Sequence, residues 1–221
     1  MSAGAGTGEL AGLIVDYGGV LTNSPSELFR AWLRAEGLPT EPFRTLMREW
    51  LDDQTPGNPL HDLETGRLPV SEFERVLAER LRGPDGAGPV ADGLLARMFA
   101  GYARAPRMTR VLVTAKRHGL RTALLSNSWG GYYDRGDWAG LFDAVVISGE
   151  VGLRKPDAEI FLLTARRMGL RPRQCVFVDD LAVNVRGAVE VGMVGVHHTN
   201  AESTADELEA LFGLPFRVSN Q

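Results

Sequence analysis

"LIVDYGGVLTNS", Leu13 to Ser24, runs three apolar residues, Leu13, Ile14 and Val15, into one acid, Asp16, and then into Gly18 and Gly19. Taken alone, an aspartate at this point is a turn or helix-cap residue, because its short side chain bonds nearby backbone N–H groups. The run before it reads as a strand buried on both faces. A carboxylate closing such a strand calls for partners, and the rest of the chain offers them.

Four further apolar runs have the same character: "RTALLSN" from Arg121, "DAVVISG" from Asp143, "QCVFVDD" from Gln174 and "VGVHHT" from Val194. Continuous apolar stretches of this length are the pattern of parallel strands covered on both faces. Helical periodicity separates the later runs, in "TRVLVTAKRHG" (109–119), "DAEIFLLTARRMG" (157–169) and "LAVNVRGAVEVG" (181–192), each ending at a glycine as helices commonly do. Strand and helix in alternation predict an α/β fold, a Rossmann-like doubly wound parallel sheet.

Between the first and second strands, from about Asn23 to Pro106, the pattern is helical throughout. Leu28, Phe29, Trp32 and Leu33 form one apolar stripe, and Phe43, Leu46, Met47, Trp50 and Leu51 another. Ser71 and Glu74 have capping-box spacing, with Val70 just outside, and the turn-rich "GPDGAGPVAD" (83–92) interrupts the helices. The reading is a core of residues 1–22 and 106–221 carrying an α-helical lid of residues 23–105. At 221 residues and 44% hydrophobic, the chain has material for both.

Composition narrows the function classes. A net charge of −4, with 24 basic residues spread along the chain, makes no basic stripe and predicts no nucleic-acid partner. The opening "MSAGAGTGEL" has neither basic nor apolar signal character, so no membrane segment is expected there, and its glycines precede the first strand instead of following it as a phosphate loop would. The single cysteine, Cys175, lies in a strand, where packing is the expected role and a reducing cytoplasm the expected setting. No feature bears on oligomeric state.

Polar residues close the strands: Asp16 on the first, Ser126 and Asn127 on the second, Asp179 and Asp180 on the fourth, with Lys155 following the third in "GEVGLRKPD". Ligands of open α/β sheets bind outside the carboxyl ends of the strands, so these groups should converge. Carboxylates beside a lysine and a hydroxyl suit Mg²⁺ and a phosphate. A carboxylate about 4 Å from a phosphate charge is repelled by roughly 4 kcal/mol at surface-like dielectric. Mg²⁺ and Lys155 would reverse that repulsion and let Asp16 act as a nucleophile on a small phosphorylated substrate.

In order along the chain, "LIVDYGGVL", "ALLSNS", "GLRKPD" and "VFVDDLAVN" resemble the four motifs of the haloacid-dehalogenase (HAD) superfamily of hydrolases, and the helical insert resembles that family's C1-type cap, of subfamily I. The resemblance implies that Asp16 is nucleophile and metal ligand, that the Gly18 carbonyl and Asp180 also ligate Mg²⁺, and that Asp179 holds a water of the ion. It further implies that Ser126, the backbone near Asn127, and Lys155 hold phosphoryl oxygens, with Asn184 in support. The expected activity is Mg²⁺-dependent hydrolysis of a small phosphomonoester, for instance a sugar phosphate, through an aspartyl-phosphate.

One position departs from the pattern. Phosphatases of the family place a second aspartate two residues after the nucleophile as general acid and base, and here Gly18 stands in its place. General acid–base catalysis contributes about 10² to 10⁴-fold, so a mutase is not expected. The D-x-G-G-V form resembles a branch near glucose-1-phosphate phosphatases and the phosphatase domain of epoxide hydrolases. A metal-independent 2-haloacid dehalogenase is the alternative, against which Asp179 and Asp180 together stand; a catalytically weak binding protein is another. His197 and His198 should face opposite ways on a regular strand, which argues against a shared metal site. His61 is a candidate substitute acid, and Trp129, Tyr132 and Tyr133 are candidates for the entrance or for packing.

Overall fold

The computed structural model describes residues 9–51, 57–83, 86–133, 135–136 and 138–216. Five parallel strands, β1 (Gly12–Val15), β2 (Arg121–Ser126), β3 (Ala144–Ile147), β4 (Cys175–Asp179) and β5 (Val194–His197), form one sheet in the order β3-β2-β1-β4-β5. Side chains alternate between its faces. Leu13, Val15, Leu124, Val176 and Val178 point to one core, and Ile14, Ala123, Leu125, Cys175 and Phe177 to the other. With both faces covered by helices, the strands need no polar side, which is why they read as continuous apolar runs. Cys175 is buried and free, and burial pushes its thiol up to about 11.

Among the described residues the insert after β1 contains five helices, α1 (Pro25–Ala35), α2 (Thr40–Trp50), α3 (Pro59–Glu64), α4 (Val70–Arg80) and α5 (Leu94–Phe99). The sheet is flanked by α6 (Pro106–Arg117), the single turn α7 (Ser148–Val151), α8 (Ala158–Arg167), α9 (Ala182–Glu190) and α10 (Ala201–Phe212). Helices α6 and α10 supply Met108, Leu112 and Leu208 to one face, while α8 and α9 supply Ile160, Phe161 and Ala188 to the other. Strands β2 and β3 lie to one side of β1, and β4 and β5 to the other, so the order of strand addition reverses between β1 and β4 while every strand stays parallel. The crevice such a reversal opens at the carboxyl ends is where Asp16 emerges.

Helices α1 to α5 gather a hydrophobic core of their own, built on Leu28, Trp32, Phe43, Trp50, Phe73 and Leu94. Where the chain leaves the sheet and returns, Thr22 and Arg104 form an antiparallel bridge. The N–H groups of Asn23 and Ala105 donate to Ala103 and Leu21 carbonyls, both at 2.8 Å, and the Asn23 amide clamps Gly101 and Ala103. Entry and exit of the insert are thereby held side by side.

Two local readings of the insert need correction. Helix α4 begins at Val70 without a side-chain cap, so Ser71 and Glu74 form no capping box. Glu74 is buried and accepts the Leu95 N–H at 2.9 Å, satisfying a free donor in the first turn of α5. Leu51, counted in an apolar stripe, is 47% exposed, because it lies past the end of α2. The described part of 83–92 is irregular, as read, and Arg97 holds it by donating to the Val90 and Asp92 carbonyls. The first eight residues of the opening "MSAGAGTGEL" lie outside the described residues. Among the described residues no helix is long and apolar enough to cross a membrane.

Candidate active site

Asp16 is the first residue beyond β1, Ser126 and Asp179 end β2 and β4, and the loop between α7 and α8 carries Lys155 inward to meet them. Lys155 is only 1% exposed. Its ammonium donates to Asp16 Oδ1 at 2.7 Å, Asp179 Oδ2 at 2.6 Å and the Leu125 carbonyl at 3.2 Å, and lies 5.6 Å from the Phe177 ring centroid. Three acceptors use its three donors. Burial opposes a charge here, yet Asp16 and Asp179 outweigh it and hold the ammonium well above the ordinary lysine range.

One ammonium faces three carboxylates. Asp16, Asp179 and Asp180 each bring an oxygen within 4.8 Å of the others. Burial and crowding raise the proton affinities of Asp16 and Asp180. Burial, opposed by Lys155 and reinforced by Asp179 and Asp180, pushes the Asp16 carboxyl up to about 7; burial and Asp179 push Asp180 up to about 6. An all-oxygen donor set short of positive charge fits a hard divalent cation such as Mg²⁺. Gly19 is required for this packing: its φ is +78°, and a Cβ there would lie 2.5 Å from Asp180 Oδ2.

Asp179 is fully buried and its oxygens are occupied. Besides Lys155, they accept the Leu181 N–H at 2.8 Å and the Asn184 amide at 3.1 Å. Asp179 thus fixes Lys155 and the start of α9, with Asn184 supporting it. Asn127 acts similarly on the Lys155 backbone, accepting its N–H at 2.9 Å and donating to its carbonyl at 3.0 Å. Ser126 Oγ accepts from the Tyr133 hydroxyl at 3.1 Å and makes a long 3.4 Å contact with the Asn127 carbonyl.

Glu64, at the end of α3, is a site residue that the motifs do not point to. It is 3% exposed and accepts from Arg154 Nε at 2.8 Å, Asn127 Nδ2 at 3.2 Å and Trp129 Nε1 at 3.2 Å. Ser148 Oγ donates to its carbonyl oxygen and accepts the Ser128 N–H at 2.7 Å. Burial raises the Glu64 carboxyl above its ordinary value, against the pull of Arg154. Through this residue the insert is bonded to the segments that carry Asn127 and Lys155. One sequence signal was present: Glu64 follows the buried Leu60 by four residues and so falls on the packed stripe of its helix.

A cavity of about 870 Å³ opens from Asp16, Gly18, Lys155 and Asp180 toward α1 and α2. Phe29, Phe43, Met47 and Phe99 give it apolar walls, and Arg30, Arg44 and Arg48 also line it. Trp129, Tyr132 and Tyr133 are part of the lining. His61 is not; its Nε2 lies 3.1 Å from the Asn58 amide. His197 meets the Asp180 carbonyl at 2.9 Å while His198 meets Thr204 Oγ1 at 2.9 Å, so the two rings have separate partners. Gly18 has an ordinary backbone conformation, and the space its side chain would enter is flanked by the Tyr102 hydroxyl, 3.3 Å from a Cβ built there.

Comparison with known proteins gives the family and the fold. The family model described as haloacid dehalogenase-like hydrolase matches residues 10–192. Phosphatase MT3486 of Mycobacterium tuberculosis is 29% identical over 198 residues, covering 83% of this chain and 85% of that protein. Acyl-CoA dehydrogenase family member 10 of Mus musculus is 27% identical over 214 residues, 93% of this chain but 19% of the relative. The chain spans 19% to 32% of the length of three such curated relatives. A HAD family enzyme of Bacteroides thetaiotaomicron, solved with magnesium and inorganic phosphate, shares the fold with a TM-score of 0.60 at 20% identity, covering 85% of this chain and 93% of its own. The chain belongs to the haloacid dehalogenase-like hydrolase family.

Proposed function

We propose that this haloacid dehalogenase-like hydrolase is a Mg²⁺-dependent phosphatase that cleaves a small phosphomonoester through an aspartyl-phosphate on Asp16. The observation that carries the reading is the carboxylate cluster: buried Asp16 and Asp179 paired with one lysine, and half-buried Asp180 beside them, facing a cavity. A dehalogenase acting without metal has no use for Asp180 in that cluster. The magnesium and phosphate bound by the Bacteroides relative support the same chemistry.

Asp16, Asp180 and the Gly18 carbonyl would hold the ion. It supplies charge neutralisation between the carboxylates and the phosphoryl group. Lys155, fixed by Asp179 and Asn127, faces the Asp16 oxygen that it already contacts and offsets the phosphoryl charge. Ser126 Oγ, which accepts from Tyr133, would donate to a phosphoryl oxygen. Asp16 attacks phosphorus as the ester oxygen departs with its electron pair; water then attacks phosphorus, restores the carboxylate and releases phosphate.

Residues 23–105 act as a C1-type cap over the core of residues 1–22 and 106–221, excluding water and selecting substrate. A cavity of about 870 Å³ with Phe29, Phe43 and Phe99 in its walls favours an ester whose alcohol part is apolar or aromatic over a bare sugar. The buried free thiol of Cys175 suits a cytoplasmic location.

The test is hydrolysis of p-nitrophenyl phosphate with Mg²⁺ and with EDTA, followed by acid quenching and peptide mass analysis. Mg²⁺-dependent turnover with a phosphoryl group on the Asp16 peptide is expected. Halide release from a 2-haloacid in EDTA, with no phosphatase activity, would establish the dehalogenase reading instead.

A further inference from the structure

The phosphatase reading leaves an ester oxygen departing with no acid beside the nucleophile, since position 18 is glycine. The structure shows what flanks that place. Tyr102, in the segment returning from the insert to the sheet, has its hydroxyl 3.3 Å from the Cβ that Gly18 lacks. The ring lines the same cavity as Asp16 and Asp180. Its hydroxyl makes no hydrogen bond among the described residues, so its donor is free for a ligand.

Its position is well defined. The ring stacks on Phe99 at 5.0 Å and meets Tyr17 edge-on at 5.9 Å. The Tyr102 N–H donates to the Phe99 carbonyl at 3.0 Å, and on either side of it the Asn23 side chain clamps Gly101 and Ala103. The hydroxyl is therefore tied to the loop that follows Asp16, although the two residues are far apart in sequence. Gly18 itself has no conformational need to be glycine, having an ordinary φ. A larger residue there would crowd the phenol.

Resting on the phosphatase reading, we infer that Tyr102 supplies the leaving-group contact missing at position 18, donating a hydrogen bond from its hydroxyl to the departing ester oxygen. As the bond from Asp16 to phosphorus forms and the bond from phosphorus to the ester oxygen breaks, that oxygen takes the electron pair. The phenol O–H shares the developing charge and keeps its own proton; the proton completing the alcohol comes from water. Burial, with Asp16 adding to it, raises the phenol above its ordinary range, which keeps it a donor at neutral pH.

The test compares the wild type with Tyr102→Phe on p-nitrophenyl phosphate, a good leaving group, and on phenyl and alkyl phosphates, which depart less readily. The readout is kcat/KM, which reports the step in which the alcohol leaves. The alkyl-to-nitrophenyl activity ratio should fall about 10- to 100-fold in Tyr102→Phe, the range of one hydrogen bond to a charged oxygen. Adding Gly18→Asp to Tyr102→Phe should recover part of the ratio. An unchanged ratio, with both substrates slowed alike, would overturn the role of Tyr102 and leave the phosphatase reading intact, as would a wild type that cleaves the nitrophenyl ester and no alkyl ester. Absence of Mg²⁺-dependent turnover in the wild type would overturn both.

Discussion

Asp16→Asn should make the metal-free protein more stable at alkaline pH. In the folded state the Asp16 carboxyl is pushed from 3.8 to about 7, chiefly by burial and against the attraction of Lys155. The folded protein thus keeps a proton that the unfolded chain has already released, and stability falls as pH rises from about 4 to about 7. Asparagine resembles the neutral carboxyl and still offers Lys155 an oxygen, so it escapes this loss. Between about pH 5 and about pH 8 the advantage of the variant should grow by roughly 3 kcal/mol, from the part of the displacement that lies above pH 5. Asp180, pushed up to about 6, adds in the same direction in both proteins. Urea denaturation in EDTA at the two pH values, with m-values compared, measures the difference. Mg²⁺ should offset most of that advantage, because a ligand at a hundred times its Kd stabilises by about 2.7 kcal/mol and the variant has lost one of the carboxylates proposed to hold it. A variant destabilised equally at both pH values would refute the raised Asp16 carboxyl.

Removing the counter-charge should do the opposite. Lys155→Met leaves Asp16 and Asp179 unpaired and should cost about 3 to 5 kcal/mol, with the loss in calorimetric Tm larger at alkaline than at acidic pH. Glu64→Gln exchanges a buried carboxylate for an amide against Arg154, Asn127 and Trp129. The expected loss is about 1.5 to 3 kcal/mol in chemical denaturation, and a double-mutant cycle with Arg154→Met should show coupling between the two; additivity would disprove the linkage. Gly19→Ala forces a Cβ toward Asp180 at a φ of +78°. It should cost about 1 to 2 kcal/mol in backbone strain and, by displacing Asp180, weaken Mg²⁺ binding in isothermal titration by about 10- to 100-fold.

The sheet was legible because its strands are covered on both faces, so that "LIVD", "TALLS" and "CVFVDD" stand out as apolar runs closed by polar residues. The same rule gathers Asp16, Ser126, Asp179 and Asp180 at the carboxyl edge of the sheet, and Lys155 follows from its loop. The insert was less legible. Periodicity located its helices, but Glu74 looked like a capping-box acid because spacing along a helix carries no information about the Leu95 N–H that it meets across the fold. Glu64 and Tyr102 are not legible in the sequence for a related reason. Each is ordinary in its local sequence, an acid at the end of a short helix and an aromatic in a linker, and each gains its role from the way the insert folds back on the sheet.

The central claim is that Asp16 performs the chemistry and that Lys155, Asp179 and Asp180 make it able to. Its most direct test is the turnover of p-nitrophenyl phosphate by Asp16→Asn at saturating Mg²⁺, using protein whose folding has been verified by its denaturation curve. Turnover lower than wild type by at least about 10³-fold is expected for loss of the nucleophile; turnover within about tenfold of wild type would contradict the account.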